Sequence, residues 1–176
     1  MPDQAAMSLA ARVYRAAHLT GTFRLRSGVV SHEYFDKYRF ESDPDLLGDI
    51  ADAMVELIPP EIDALAGLEL GGVPLATALS LKTGLPVLFV RKEAKTYGTC
   101  RLAEGGEIDG RRLVIIEDVV TSGGQIVTSC QQLRELGASV ETAACVIDRQ
   151  AGGAAHLAAA SLDLRSLLTL DQLIPS

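Results

Sequence analysis

Residues Leu113 to Ile116 form an unbroken apolar run, and Glu117 and Asp118 follow it directly. Val119 and Val120 lead into Thr121-Ser122-Gly123-Gly124, and Gln125 opens a stretch with helical spacing. A short run of mostly β-branched residues, bounded by turn residues, reads as a strand buried on both faces. A sheet containing such a strand must be covered by helices on both sides, which confines the chain to an α/β arrangement.

The rest of the pattern agrees. Ser8 to Ala17 is predicted helical, with Leu9, Val13 and Ala16 or Ala17 on one face. Asp43-Pro44 marks a helix start with Asp43 as N-cap; Leu46, Leu47, Ile50, Met54, Leu57 and Ile58 keep the spacing until Pro59-Pro60. Strands are predicted over Ala64 to Gly67, Pro86 to Val90 and Val140 to Ile147. Helices are predicted from Pro74 to Gly84 and behind the Gly123-Gly124 turn, the latter with Ile126, Cys130 and Leu133 inward and Gly137 at its end. Phe23 to Ser31 reads as an edge hairpin turning at Ser27-Gly28, and Ala151 to Ala160 as a small-residue helix or a loop. Alternating strands and helices over 176 residues predict one domain, 1–176, around a mostly parallel sheet flanked by helices.

The segment 92–111 breaks the alternation. It is polar, lacks a period and contains Gly98, Gly105, Gly106 and Gly110. A loop that long in a compact domain is usually functional or disordered, so mobility is expected. Arg91, Lys92, Lys95 and Arg101 cluster at its start.

Bulk properties exclude several classes. A net charge of -7 argues against nucleic acid as the main partner. No apolar run approaches the ~20 residues that span a bilayer, and Met1-Pro2-Asp3-Gln4 does not begin a secretion signal. Cys100, Cys130 and Cys145 are odd in number and widely spaced, which suggests neither a disulfide framework nor zinc, and a cytoplasmic home. His18, His32 and His156 lack metal-ligand spacing and read as ordinary surface or edge residues.

The glycine-bearing turn after Val120 offers bare N–H groups and a positive helix end, a seat for phosphate. A triphosphate loop would carry a Lys here; this turn instead follows two acids, which suit a ligand bearing hydroxyls or magnesium beside its phosphate. Both acids are expected at a strand end, where amidation should cost little stability.

The segment 113–125 resembles the phosphoribosyl diphosphate (PRPP) signature of the type I phosphoribosyltransferases. The resemblance implies their Rossmann-like fold with a small N-terminal hood, here residues 1–40. It places Glu117 and Asp118 on the ribose hydroxyls, and Val119, Val120, Thr121, Ser122, Gly123, Gly124 and Gln125 around the 5-phosphate. Arg91-Lys92-Glu93-Ala94-Lys95-Thr96-Tyr97-Gly98 is similar to the mobile catalytic loop of one branch, the orotate phosphoribosyltransferases, which closes over the neighbouring subunit's site. That implies PRPP contacts from Arg91, Lys92, Lys95 and Tyr97, a catalytic Lys95 beside Glu117 and Asp118, and a homodimer with shared sites. Phe23 to Ser31 with Tyr34-Phe35-Asp36 looks like the same branch's N-terminal segment, in which Arg26 reaches PRPP while Tyr34 and Phe35 lie against the pyrimidine. At Ile147-Asp148-Arg149-Gln150 the resemblance gives Arg149 to the orotate carboxylate, a group that a guanidinium binds through two parallel hydrogen bonds. Thr121 also faces orotate in this reading. Magnesium is implied as the cofactor, held mainly through PRPP, with no protein ligand assigned.

Three positions depart from the pattern. Leu70-Gly71 stands where many relatives have Tyr-Lys, which removes a cation; Tyr97 stands where others have His, so no obligatory proton transfer is expected there. The expected activity is transfer of ribose 5-phosphate from PRPP to orotate. The alternatives are a purine or uracil phosphoribosyltransferase and a non-catalytic PRPP-sensing regulator. Arg26, Tyr34, Phe35 and Arg149 weigh against the first. Against the second stand the acidic charge and a stretch before Thr22 too short for a DNA-binding domain.

Overall fold

The structure is a computed structural model and describes residues 7–24, 28–93 and 102–173. The expectations for Arg26, Ser27, Lys95, Tyr97, Cys100 and Arg101 lie outside the described residues. In chain order the elements are α1 (Leu9–Ala17), β1 (His18–Arg24), β2 (Val30–Phe35), α2 (Tyr38–Glu41), α3 (Pro44–Met54), β3 (Ala64–Leu68), α4 (Gly72–Thr83), β4 (Val87–Val90), β5 (Ala103–Glu104), β6 (Arg112–Val120), α5 (Gly124–Glu135), β7 (Ser139–Asp148), α6 (Gly153–Ala159), β8 (Asp163–Thr169) and α7 (Leu170–Leu173).

The main sheet has the order β5-β4-β3-β6-β7-β8. All its neighbours pair in parallel except β5, which runs antiparallel to β4 at the edge. The chain leaves β3 for β4 on one side and then returns to β6 on the other. Strand order therefore reverses between β3 and β6, and the crevice beyond their C-terminal ends is where such sheets bind ligands. A separate hairpin of β1 and β2 forms the hood, tied to the helical layer by the Asp36 N–H donating to Ala17 O at 2.8 Å.

β6 is buried on both faces, as its sequence requires. Leu113 and Ile115 pack with Ile126, Cys130 and Leu133 of α5. Val114 and Ile116 pack on the other face with Val13, Ile50, Met54, Leu75 and Leu79 from α1, α3 and α4. Asp43 caps α3, accepting from the N–H groups of Asp45 and Leu46 at 3.1 and 3.0 Å, with Pro44 in the first turn. Helix α4 starts at Gly72, ahead of Pro74, whose missing N–H has no partner to lose in a first turn.

Two features differ from the sequence reading. The C-terminal part of 92–111 is packed: Leu102 and Ala103 are buried, and the Arg91 N–H donates to Leu102 O at 2.9 Å. Two apolar residues suffice to add a short antiparallel strand to the edge, too few to give a period. Strand β8 was not anticipated; it closes the far edge beside β7 and is only partly buried, so its alternation is weak. The Ala/Gly-rich stretch takes the helical one of its two expected forms, as α6. Among the described residues no helix is long and apolar enough to cross a membrane.

Candidate active site at the strand-order reversal

Glu117 and Asp118 lie near the C-terminal end of β6, Glu117 partly buried. Asp118 is fully buried. Its Oδ2 receives Lys37 Nζ at 2.6 Å, and its Oδ1 accepts from the Val119 N–H. The Asp118 N–H donates to Glu117 Oε1 at 3.0 Å. Lys37 comes from the hood, between β2 and α2, and Glu41 of α2 adds a third, buried carboxyl. The expectation that amidation here costs little stability is thus corrected: the hood folds over the acids and supplies a counter-charge to Asp118.

Crowding sets the protonation of this cluster. Burial, then the neighbouring Asp118, pushes the Glu41 carboxyl up to about 9. Burial and the Asp118 charge likewise push Glu117 up to about 8. Burial alone would lower the Lys37 pKa, but its hydrogen bond to Asp118 and the acidic neighbours outweigh that and hold it above the ordinary lysine value.

Beyond Val120 the turn is built for close approach. Gly123 takes a left-handed conformation (φ 73°), which admits glycine without strain. Helix α5 then begins at Gly124 with no side-chain cap, so its first-turn N–H groups face outward at the positive helix end. Helix α6 braces the turn from behind: the His156 ring nitrogen Nδ1 lies 2.8 Å from Ser122 O. A β-carbon on Gly153 would come within 2.6 Å of Val120 Cγ1 and 2.8 Å of Thr121 O. Thr121 and Ser122 remain exposed.

At the end of β3, Glu69 Oε1 accepts from the Lys92 N–H at 2.6 Å, and the Glu69–Leu70 peptide is cis. This bond fixes Arg91 and Lys92 beside the β3 turn, on the same sheet edge as the acids. Among the described residues the buried Arg91 Nε has no acceptor.

A cleft of about 530 Å³ opens between hood and sheet, lined by Tyr14, His18, Ser31, Glu33, Tyr34, Phe35, Arg149 and Leu170. The expected orotate residues Tyr34, Phe35 and Arg149 therefore meet in one cavity of small-ligand size. The Arg149 N–H donates to Val120 O at 2.9 Å, which joins this cleft to the phosphate turn. Sequence reading missed several contributors. His18 stacks on Tyr14 with ring centroids 4.7 Å apart and lines the cleft instead of the outer surface. His156 supports the turn. Lys37 and Glu41 had one available signal, a cation and an acid four residues apart directly after Tyr34-Phe35-Asp36.

Among the described residues no three His, Cys, Asp or Glu side chains are grouped as a metal cage. The oxygen donors at the strand end do suit magnesium, which prefers a few carboxylates together with substrate phosphates over an all-protein cage.

Comparison with known proteins agrees with this geometry. The phosphoribosyl transferase domain family matches residues 40–161. The chain is 51% identical over 166 residues to an orotate phosphoribosyltransferase of a Nocardioides species, covering 94% of this chain and 93% of that one. It is 42% identical over 154 residues to the Halobacterium salinarum orotate phosphoribosyltransferase, covering 88% and 87%. Among solved structures, the Mycobacterium tuberculosis orotate phosphoribosyltransferase in complex with PRPP superposes with a TM-score of 0.80 at 31% identity, covering 94% and 96%.

Proposed function

Because this chain belongs to the phosphoribosyl transferase family, among the orotate phosphoribosyltransferases, we propose that the end of β6 holds PRPP and the hood cleft holds orotate. The activity of the family transfers ribose 5-phosphate from PRPP to orotate, giving orotidine 5′-monophosphate and diphosphate in pyrimidine biosynthesis. Glu117 and Asp118 take the ribose hydroxyls, and the turn from Val119 to Gln125 takes the 5-phosphate. Arg91, Lys92, Arg26, Lys95 and Tyr97 would contact PRPP. Tyr34, Phe35, Thr121 and Arg149 fix the base.

The bond from C1′ to the diphosphate breaks, and orotate N1 attacks that carbon. Ribose acquires oxocarbenium character on the way, so the protein acts through positioning and electrostatics. Orotate is already an anion near neutral pH, and no strong general base is required. Magnesium bound to the diphosphate would compensate its charge as it leaves. Lys95 would add a cation from the partner subunit in a twofold dimer. A cytoplasmic location fits the free, buried thiols of Cys130 and Cys145.

The observation that carries the substrate assignment is the meeting of Arg149 with Tyr34 and Phe35 in a cleft bonded to Val120. The ring carboxylate separates orotate from uracil, and Arg149 is the cleft's guanidinium. Removing one partner of a hydrogen-bonded charge pair in a desolvated site costs ~2–5 kcal/mol. Arg149→Ala should weaken orotate binding far more than PRPP binding in titrations of each ligand. Equal losses for both would make Arg149 a structural residue and withdraw it from base recognition.

A further inference from the structure

Asp118 sits in a box that the reading above does not explain. Its carboxylate is fully buried, yet the counter-charge comes from outside the sheet, from Lys37 at 2.6 Å. A buried carboxylate without a partner is costly, and among the described residues Lys37 is the cation paired with it. The floor of the box is Gly71. A β-carbon there would lie 1.5 Å from Asp118 Oδ2, 2.4 Å from its Cγ and 2.9 Å from Glu41 Oε1. The backbone does not demand glycine at this position, because φ is -68° and ψ is -29°, ordinary helical values. What Gly71 supplies is space, and the Asp118 carboxylate fills it.

We propose that Lys37 is a positioning residue for Asp118, reaching from the hood to hold that carboxylate over Gly71, and that the missing side chain at position 71 is the space this arrangement requires. Lys37 and Gly71 are then two halves of one device. The lysine draws the carboxylate toward the hood, and the glycine leaves the place open. The hood segment that ends in Lys37 also carries Tyr34 and Phe35 of the base cleft. The ion pair consequently couples the acid that holds ribose to the element that holds the base. This inference rests on the assignment of Asp118 to the ribose hydroxyls.

Steady-state kinetics with separate PRPP and orotate titrations test it, using Lys37→Met, Lys37→Arg, Gly71→Ala, Asp118→Asn and the double variant Lys37→Met/Gly71→Ala. Lys37→Met should lower kcat/KM for PRPP at least ~10-fold, with Lys37→Arg recovering part of the loss. Gly71→Ala should show a loss of the same kind, since its methyl displaces the same carboxylate. The double variant should be no worse than the poorer single variant by more than about twofold, because both changes act on one group. Multiplying losses would overturn the device, as would a normal kcat/KM for PRPP in either Lys37→Met or Gly71→Ala. Should Lys37→Met fail to fold, Lys37→Arg and Gly71→Ala decide the question by the same readout. An impaired Asp118→Asn beside a normal Lys37→Met would defeat this inference alone. A fully active Asp118→Asn would defeat the ribose assignment beneath it.

Discussion

Glu41, Glu117 and Asp118 share one lysine, and this imbalance has a consequence for pH. A carboxyl whose folded pKa is raised binds its proton more tightly folded than unfolded. Its contribution to stability is complete below the ordinary carboxyl range and is lost as pH rises through the folded value. With Glu117 near 8 and Glu41 near 9, the ligand-free protein should lose stability between about pH 5 and pH 9. Lys37 does not offset this, because its raised pKa places its loss above that window. Asp63, lowered by its Arg112 hydrogen bonds, acts only at acid pH. Urea unfolding across the window should show the decline, and Glu41→Gln, which fixes the protonated shape, should flatten it. An unchanged slope in Glu41→Gln would remove Glu41 from the cluster's proton balance.

At the scale of elements, the proposed phosphate seat rests on a helix packed behind its turn. Helix α6 packs against the back of the turn through Gly153, where any β-carbon would push on Val120 and the Thr121 carbonyl. Overpacking of this kind costs about 1–3 kcal/mol. Gly153→Ala should lower the melting temperature and weaken PRPP more than orotate; a variant that binds PRPP normally would show that the turn tolerates the shift. The sequence made β6, its turn and α5 legible because period, acids and glycines coincide in one short stretch. Helix α3 was legible through Asp43-Pro44. Strand β8 and the short β5 were not, since partial burial and two-residue length erase periodicity. The same limit hid Lys37, Glu41, His18 and His156. Lys37, Glu41 and His156 gain their roles from neighbours distant in sequence, such as His156 from Ser122 or Lys37 from Asp118.

The whole molecule brings the β6 end and the hood cleft together at one sheet edge, the proposed half-sites for PRPP and for the base. In the proposed twofold dimer the loop bearing Lys95 completes the partner's site, and symmetry makes the exchange reciprocal. Mixing Lys95→Ala chains with Asp118→Asn chains, each impaired alone, should then raise activity above that of either variant. One site of the mixed dimer carries both defects and the other carries none. A mixture no more active than either variant despite demonstrated subunit exchange would leave Lys95 acting within its own chain. The most direct test of the central claim is orotate consumption by the purified protein, followed by ultraviolet absorbance with PRPP and magnesium present. Orotate should be consumed only when both are supplied, uracil and purine bases should be poor substrates, and Asp118→Asn should be slower by at least ~10-fold, about 1.4 kcal/mol of transition-state stabilisation. Binding of PRPP without turnover of orotate, or faster turnover of a purine base, would contradict the account.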